Sequence, residues 1–352
     1  MFFRAILEKG FKSKKSYWLI KKWLFFNNPQ DFFYAVNDLK EKYLLFYISF
    51  EGGYKFLNLK EKLGIIPPFG IGILEKSKPF KSSEKYTLDF IGASINKQQY
   101  LEKFYQIKKY IEEGDIYQIN YTVKFDFSFK GNAIKLWEDF IRRQPVPYGV
   151  YFETPYFTAI GGSMELFLQK ERTSLKSSPI KGTLPINKNP QEFFKLEKEL
   201  AENLMITDMV RNDLGKVSKI GSVKVLKLFE VQTYKTVHQL TSTVISESIK
   251  SFREIIEATF PPASVTGAPK RRAVEIIKEL EPHSRELYCG TVGLIYPDGN
   301  FTANVSIRTA ILIKNRLSYY AGGGIVWDSI GEKEWKEVLL KVKAFSEIPK
   351  TF

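Results

Sequence analysis

Three strands near the carboxyl end of the chain are joined by connections that are too short for anything but antiparallel pairing. Residues 289–296 and 301–313 flank a turn at 297–300, and a third strand follows at 317–327. Neighbouring parallel strands need a crossover of about a dozen residues or more, whereas antiparallel strands need only a tight turn. We therefore predict an antiparallel meander, which places Arg308 inside its second strand.

Upstream of the meander, a helix is predicted to lead into a strand that carries polar side chains. Apolar residues recur at helical spacing from Tyr100 to Ile111, and Gly114 is placed to end the helix. The next strand, 116–123, has polar residues on one face and apolar residues on the other. The polar face suggests a binding site, and an exposed sheet face would explain it equally well. Its members are Gln118, Asn120 and Thr122.

The composition is that of a globular protein with a substantial core. Hydrophobic residues make up 44% of the 352 residues, which suits one large domain or two. The sequence contains no periodic repeats, low-complexity tracts or linkers. We therefore expect a single interwoven domain over residues 1–352, with a short amino-terminal portion at 1–95 and a core at 96–352.

Sequence features that would direct the chain to a membrane or an oxidising compartment are missing. The apolar run at 43–50 is far shorter than the ~20 residues of a membrane helix, and the basic segment 1–22 has no apolar signal region. A single cysteine, Cys289, cannot form an intramolecular disulfide. We expect a cytoplasmic protein with no membrane partner.

The net charge of +14 would suit a nucleic-acid-binding protein. The lysines are spread along the whole chain, however, and no nucleic-acid-binding motif accompanies them. A solvated, lysine-rich surface is the better interpretation, so we expect no nucleic-acid partner. The charge still favours a small anionic ligand.

One lysine is held between two prolines in the segment 177–185. Pro179 and Pro185 restrict the backbone on either side and Gly182 follows the lysine, so we predict a well-defined loop that presents Lys181. A positioned and partly desolvated lysine can act as a nucleophile or a base. A solvated loop lysine is the plainer interpretation, and the segment alone does not decide between them.

A glutamate follows a pair of glycines and lies between apolar neighbours. Glu165 comes just after Gly161 and Gly162, with Met164 and Leu166 on either side. A partly desolvated carboxylate has a raised pKa, as a general acid requires. A strand-edge glutamate that faces water is the alternative.

Acidic residues also occur on the apolar borders of two predicted helices. Asn189 and Pro190 are predicted to open a long helix whose second half carries Glu202 on an apolar stripe. A buried carboxylate needs a partner, often a metal. On the last helix, 332–345, two acids and a lysine could form a salt-bridged rim or frame a metal site with Glu202. They are Glu334, Glu337 and Lys341.

Two further segments suggest close approach to a ligand. Thr266 and Gly267 precede a helix that starts after Pro269, and backbone N–H groups at such a helix start can cradle an anion. The triple glycine 322–324 lies inside a predicted strand, where glycines usually mark contact with another backbone or a ligand.

Taken in order, these segments resemble the chorismate-utilising enzymes, and most closely the aminodeoxychorismate synthase component I (PabB-type) subfamily. The likeness runs clearly from Gly114 to the last helix, and more faintly into 43–54. Five blocks carry it: AENLMITD at 201–208, RNDLG at 211–215, VTGAPK at 265–270, IRT at 307–309 and GGGIV at 322–326.

The resemblance implies an α+β fold of two packed antiparallel β-sheets with helices outside, binding chorismate and Mg²⁺ in a cleft. It implies that Glu202 and Glu337 hold Mg²⁺, with Glu334 nearby. The carboxylates of chorismate would be held by Arg308, Lys341, Tyr288 and backbone N–H groups near Gly323 and Gly324, and Thr266 and Gly267 would line the ring pocket.

The resemblance also implies a reaction, because relatives that make anthranilate have alanine where this chain has Lys181. The Lys181 amine would attack C2 of chorismate as the C4 hydroxyl leaves with a proton from Glu165. Ammonia would then attack C4 and expel the lysine, giving 4-amino-4-deoxychorismate, a precursor of p-aminobenzoate and folate. Gln118 stands where isochorismate-forming relatives place a water-activating lysine, and a glutamine cannot be that base.

The chain departs from the family pattern at two places. Gln239 stands where the family often has a histidine, and His238, one place earlier, should face the opposite side of its strand. Met164 stands where proline is usual before Glu165, which predicts a less rigid loop.

The ammonia is expected to come from a separate protein. A glutaminase of the usual kind needs a reactive cysteine, and Cys289 lies in a predicted strand. We therefore expect a PabA-like glutamine amidotransferase subunit as a partner. Anthranilate synthase component I, which Lys181 argues against, and a non-catalytic binding protein on the same scaffold are the alternative interpretations.

Overall fold

A computed structural model of the chain describes residues 2–12, 14–80 and 85–346. The first residue and residues 347–352 of the expected domain lie outside these ranges. The described strands are β1 Phe3–Leu7, β2 Ser16–Phe26, β3 Leu44–Ile48, β4 Phe69–Lys76, β5 Tyr86–Ala93, β6 Gln118–Gly131, β7 Tyr148–Glu153, β8 Thr158–Ser163, β9 Leu166–Glu171, β10 Ser174–Ser178, β11 Ile180–Pro185, β12 Lys224–Thr233, β13 Val237–Glu247, β14 Gly267–Ala268, β15 Thr291–Ile295, β16 Phe301–Asn304, β17 Thr309–Ile313 and β18 Arg316–Ile325.

The helices connect these strands and lie outside them. They are α1 Pro29–Asp38, α2 Gly53–Phe56, α3 Lys97–Glu112, α4 Ala133–Arg143, α5 Glu197–Gly215, α6 Phe252–Thr259, α7 Lys270–Leu280 and α8 Gly331–Lys343, with short 3-10 helices at Phe50–Gly52, Pro190–Lys195 and Ala263–Val265. Within the described ranges, no helix combines the length and the apolar character needed to cross a membrane.

All strands pair antiparallel in one continuous ladder. The order across it is β12, β13, β10, β9, β16, β15, β3, β4, β2, β1, β7, β8, β17, β18, β6, β5. Strand β11 continues β10 along β13, and β14 lies beside the start of β6. Strand β1 thus pairs with β7, and β3 with β15, so the first part of the chain is woven into the rest.

The ladder folds back so that its two halves pack face to face. Leu45 and Tyr47 of β3 and Leu294 of β15 share an apolar cluster with Phe152 of β7 and Ala159 of β8. The rings of Tyr47 and Phe152 stack with their centroids 6.1 Å apart. Alternate residues of β3, Phe46 among them, belong to the other main cluster, which includes residues of the helices. The prediction of two packed antiparallel sheets with helices outside is therefore confirmed.

The structure confirms several elements that local sequence signals predicted. Helix α3 starts after Asn96, whose side chain caps Gln99 in a capping box, and Tyr100 and Phe104 are buried on its inner face. The polar face of β6 is buried rather than exposed, so the exposed-face alternative for its three residues is wrong. They are Gln118, Asn120 and Thr122.

Four local predictions are wrong, including the strand position of Cys289, which precedes β15. Lys181 lies in strand β11 rather than in a loop, because the segment pairs with β13. Asn189 and Pro190 open a short 3-10 helix, and α5 begins only at Glu197. The second strand of the meander breaks at 305–308, so Arg308 lies outside a strand with φ of 51°. The break is needed because β16 pairs in one half of the ladder and β17 in the other.

Candidate active site

Two crossings between the halves of the ladder lie side by side and place Glu165 near Arg308. The first crossing joins β8 to β9 through Met164 and Glu165, and the second joins β16 to β17. The Val305 N–H donates to the Glu165 carbonyl at 3.1 Å, and the Gly162 N–H donates to the Arg308 carbonyl at 2.9 Å. The positions of Glu165 and Arg308 are therefore set by the two places where the chain crosses between the halves of the ladder.

Glu165 is buried and its turn is held by specific contacts. The side chain is 3% exposed. Burial raises the pKa of its carboxyl to about 7, although a hydrogen bond with Ser264 and the nearby Lys181 ammonium lower it. Met164 packs against Val146 and Ile180, so apolar packing holds the turn where the family pattern has proline.

Lys181 lies at an irregularity of β11. The register between β11 and β13 shifts between Ile180 and Thr183, and Gly182 has φ of 91°, a conformation that favours glycine. The resulting bulge brings the Lys181 ammonium towards β18. The Lys181 carbonyl accepts a hydrogen bond from Asn203 of α5 at 3.4 Å.

The glycines of β18 face the functional side chains on both surfaces of the strand. A Cβ atom on Gly324 would lie 2.6 Å from Gln118 Nε2, 3.2 Å from Glu202 Oε2 and 3.4 Å from Lys181 Nζ. A Cβ atom on Gly323 would lie 3.5 Å from the nearest carboxylate oxygen, that of Glu334. The absence of side chains therefore lets polar groups of neighbouring elements approach the backbone of β18 closely.

The same part of β18 has an open edge. Strand β17 pairs with β18 only from Arg316 to Tyr319, whereas β6 pairs with it as far as Ile325. Among the described residues, no strand covers the backbone of Gly322–Gly324 on the β17 side. Within the described ranges, the N–H groups on that side therefore have no strand partner.

Acidic side chains from α5 and α8 face each other across a lysine. Lys198 Nζ lies 2.9 Å from Glu334 Oε1 and 3.8 Å from Glu202 Oε1. Burial lowers the pKa of Lys198, but Glu334 and Glu202 raise it more, so the net shift is upwards. Farther along α8, Lys341 Nζ lies 2.7 Å from Glu337 Oε1 and lowers the pKa of that carboxyl.

The donor set of this acidic group suits Mg²⁺. Within the described ranges, no three His, Cys, Asp or Glu side chains converge as a finished metal site. Burial raises the pKa of Glu202, and the carboxylates of Glu334 and Glu337 raise it further. Carboxylate oxygens are the ligands that a hard divalent cation prefers. The positive charge of Lys198 already lies between two of these carboxylates, those of Glu202 and Glu334. The residues fit a magnesium ion that takes over this role.

Arg308 provides a cationic group that has no acidic partner among the residues that the structure describes. Its Nη1 is buried without a hydrogen-bond partner. Burial lowers the pKa of the guanidinium, and the surrounding phenols of Tyr319, Tyr234 and Tyr288 oppose this. Tyr288 is fixed by stacking on Tyr320, with centroids 5.5 Å apart and ring planes 10° apart. A buried cation of this kind needs an anionic ligand.

The segment with Thr266 and Gly267 reaches the site through β6. Gly267 pairs with Ile119, next to Gln118, and the Asn120 N–H donates to the Thr266 carbonyl at 2.7 Å. The Thr266 hydroxyl donates within its own turn, to the Pro262 carbonyl at 3.1 Å. The structure therefore places the segment beside the site and uses its hydroxyl to hold the turn.

A buried ionic network fixes this segment from behind. Arg285 is 1% exposed and donates to both carboxylate oxygens of Glu281, at 2.9 and 2.7 Å. The same guanidinium donates to the carbonyls of Val265 at 2.8 Å and Asn120 at 2.5 Å. It thereby joins β6 to the turn before Thr266.

Sequence reasoning missed three residues of the site. Glu199 lies one turn before Glu202, and burial together with the Glu202 and Glu337 carboxylates raises its pKa to about 7. Its i, i+3 spacing from Glu202 could have revealed it. Lys198 and Tyr234 had no such signal. Burial raises the pKa of Tyr234 to about 12, and it lies close enough to Arg308 and Glu165 to be affected by both.

Cys289 and the two residues at 238–239 are all buried. The Cys289 thiol lies in the turn before β15 rather than in a strand, and burial raises its pKa to about 12. His238 Nδ1 pairs with the hydroxyl of Thr233 at 2.9 Å. Gln239 is the next residue on β13, so its side chain points to the opposite face.

Comparisons with known proteins agree with this arrangement. Residues 30–347 match the family model described as chorismate binding enzyme. The chain is 37% identical over 277 residues to aminodeoxychorismate synthase component 1 of Escherichia coli, covering 76% of this chain and 61% of that protein. It is also 37% identical over 269 residues to anthranilate synthase component 1 of Saccharolobus solfataricus, covering 74% of this chain and 64% of that protein.

A solved structure shows the same fold. The chain superposes on anthranilate synthase component I from Streptococcus pneumoniae with a TM-score of 0.79 at 22% identity, over 98% of this chain and 90% of that one. In sequence, the matched region spans about three fifths of the curated relatives described above.

Proposed function

Because this chain belongs to the chorismate-binding enzymes, we propose that it aminates chorismate at C4 to give 4-amino-4-deoxychorismate. The observation that carries the proposal is the position of Lys181, whose Nζ lies 3.4 Å from where a Gly324 side chain would begin and near enough to affect Glu165. A primary amine and a carboxyl of raised pKa thus share one pocket, as nucleophile and general acid require.

The substrate carries two carboxylates, and the site offers cationic and backbone groups for both. Arg308 has a buried N–H without a partner, and Tyr288 lies beside it. Lys341 and the open edge of Gly322–Gly324 form a second set, because Lys341 Nζ donates to the Gly322 carbonyl at 2.7 Å. These groups replace the water that chorismate loses on binding.

The acidic group would hold Mg²⁺ through Glu202 and Glu337, with Glu334 and Glu199 beside them. When bound, the ion supplies positive charge that offsets a substrate carboxylate among these glutamates. The protein residues orient the substrate and exclude water.

The first chemical step uses Lys181 and Glu165. The amine of Lys181 forms a bond to C2 as the ring double bond shifts and the C4–O bond breaks. Glu165 gives its proton to the departing oxygen, which leaves as water. The products of the step are a lysine adduct at C2 and the Glu165 carboxylate.

The second step reverses the displacement with ammonia. Ammonia forms a bond to C4, the double bond shifts back, and the C2–N bond breaks to free the Lys181 amine. The product would feed p-aminobenzoate and folate synthesis.

We propose that the ammonia comes from a PabA-like glutamine amidotransferase. The name of the Escherichia coli relative, component 1, is that of one part of a larger assembly. The Cys289 thiol is buried with its pKa raised to about 12, so it is a poor nucleophile for glutamine hydrolysis in this chain.

The test is to incubate the purified chain with chorismate, MgCl₂ and an ammonium salt, and to identify the product by mass and fluorescence. Aminodeoxychorismate without anthranilate or pyruvate is the expected result. Anthranilate would overturn the proposal and assign the chain to the other similar group. If ammonium gives no product, adding a PabA-type partner with glutamine must give aminodeoxychorismate, or the proposal fails.

A further inference from the structure

A small cavity lies behind Glu165, on the side of α5. Its volume is about 20 Å³, which is enough for one water-sized molecule. Its apolar walls come from strand β9, from α5, from Val305 just after β16 and from Pro262 and Ala263. Pro179, two residues before Lys181, also forms part of its lining. We call it the Glu165 cavity. Its polar lining consists of Glu165, Ser177, Asp213, Thr259 and Ser264.

Two of these polar groups are available to a ligand. The Ser177 side chain is 4% exposed, and its hydroxyl has no hydrogen-bond partner among the residues that the structure describes. Glu165 has Ser264 as a hydrogen-bond partner but no direct ion pair. An unpartnered hydroxyl and a carboxyl in a space for one molecule favour a small ligand that donates several hydrogen bonds.

The second carboxylate of the lining, Asp213, is already paired with two lysines. Asp213 accepts from Lys216 at 2.9 Å and from Lys270 at 2.5 Å, and Lys270 also donates to the Thr259 carbonyl at 2.7 Å. The charged groups around the cavity are therefore one paired carboxylate, two lysines and Glu165. Burial and the positive charges of Lys216 and Lys270 disfavour a further cation in the cavity unless Glu165 is ionised.

We propose that the Glu165 cavity is the ammonia site of the enzyme, which takes in ammonium and releases neutral ammonia towards the substrate. The inference rests on the proposed function, since it names where the amine substrate waits. Glu165 lines the cavity and is close enough to Lys181 to be affected by its charge, so a molecule held there would lie next to the carboxyl that we propose as the proton donor to the C4 oxygen.

Proton balance gives this position a chemical role. After the first step Glu165 is a carboxylate, and ammonium in the cavity returns a proton to it and becomes NH₃. NH₃ then forms the C4–N bond while the C2–N bond to Lys181 breaks, and the product carries an –NH₃⁺ group. Glu165 ends protonated and Lys181 ends as an amine, so both return to their starting forms. The net reaction converts chorismate and ammonium to the aminated product and water.

The test fills the cavity and measures two Michaelis constants. Ser177→Val puts methyl groups into the space, and we expect the KM for ammonium to rise at least tenfold while the KM for chorismate changes less than twofold. Ser177→Ala leaves the space open and should raise the ammonium KM less. Val305→Ile adds a methylene group at another lining residue, and Ser174→Val, on the exposed start of β10, is the matched control that should change neither constant.

The inference is overturned if both cavity-filling variants leave the ammonium KM unchanged or raise the two constants equally. The constants can be measured on whichever aminated product the wild type forms, so a wrong product assignment does not affect the result.

A direct readout uses thallium(I), which has nearly the radius of ammonium. Crystals of the wild type soaked at pH 8.5 should show an anomalous peak in the cavity, and crystals of Ser177→Val should not. A wild-type cavity without a peak would refute the ammonia site and leave the product assignment standing.

Discussion

The ammonium of Lys198 lies 2.9 Å from Oε1 of Glu334, so a cation from helix α5 already sits against a carboxylate of helix α8. The same ammonium lies 3.8 Å from Glu202 Oε1. The ammonium of Lys198 thus partly neutralises the carboxylates that we propose as Mg²⁺ ligands, so the ion would have to compete with this ammonium.

Replacing this lysine should make the fold more dependent on magnesium. In Lys198→Met the carboxylates repel each other without compensation, so we expect a thermal midpoint about 2–4 °C lower in EDTA and a larger rise on adding MgCl₂. Thermal scans over a magnesium titration measure both. Lys336→Met, at an exposed position on α8, is the control. Equal magnesium shifts in both variants and the wild type would show that Lys198 does not compete with the ion.

Replacing Lys181, the proposed nucleophile, should abolish the proposed amination without unfolding the protein. We expect Lys181→Ala to lower kcat by roughly 10³-fold, because the covalent path is lost. Intact-mass spectra of quenched wild type should show a lysine adduct that the variant lacks. Lys188→Ala, at an exposed position farther along the chain, should keep full activity. Full activity in Lys181→Ala would exclude the covalent step.

The buried general acid should set the upper pH limit of activity. Burial raises the pKa of Glu165 to about 7, so kcat/KM should fall above that pH as the proton is lost. Glu165→Gln should lower kcat by about 10²–10⁴-fold and remove this limb from the pH profile. A wild-type profile that stays flat from pH 6 to 9 would contradict the role of Glu165 as acid.

The same carboxyl should make the fold less stable at high pH. Its pKa is higher in the folded state than the ordinary value of 4.5, so its contribution is complete below about pH 4.5 and is lost as the pH rises to about 7. Relative to wild type, Glu165→Gln should gain up to about 3 kcal/mol between these limits. Urea unfolding at pH 5 and pH 8 measures the difference, and an equal difference at both values would refute it.

Two neighbouring glycines should differ in their tolerance of a methyl group. In Gly324→Ala the new Cβ would lie 2.6 Å from Gln118 Nε2, so the polar groups around it must move and activity should fall at least tenfold. In Gly323→Ala the nearest contact is 3.5 Å, an ordinary separation, and the loss should be smaller. Initial rates at saturating chorismate compare the two. A greater loss in Gly323→Ala would reverse the interpretation.

Breaking the buried ionic network should cost more than breaking an exposed one. Arg285→Met leaves Glu281 buried without its partner, and we expect a loss of about 3–5 kcal/mol in the free energy of unfolding. Arg272→Met removes a part-exposed pair with Asp115 and should cost less than about 1 kcal/mol. Urea titrations measure both, and similar losses would contradict the burial argument.

Local sequence was sufficient where one segment decides the structure by itself. The helix with its apolar face from Tyr100 to Ile111 and its end before Gly114 follow from helix periodicity and capping, which act over a few residues. The resemblance to a known family supplied the sheets and the residues of the site. Neither source of information located Lys198, because its role depends on a helix that follows it by more than a hundred residues.

The chain's own residues thus determined most helices, the antiparallel strands and the chemical types available to the site. Tertiary structure alone decided that the strand with Arg308 breaks, that Lys181 stands on a bulged strand, and that the polar face of β6 is buried. The physical reason is that strand pairing and burial are long-range. Whether a residue continues a strand or crosses between sheets depends on which distant strand is hydrogen-bonded beside it, and no local pattern contains that information.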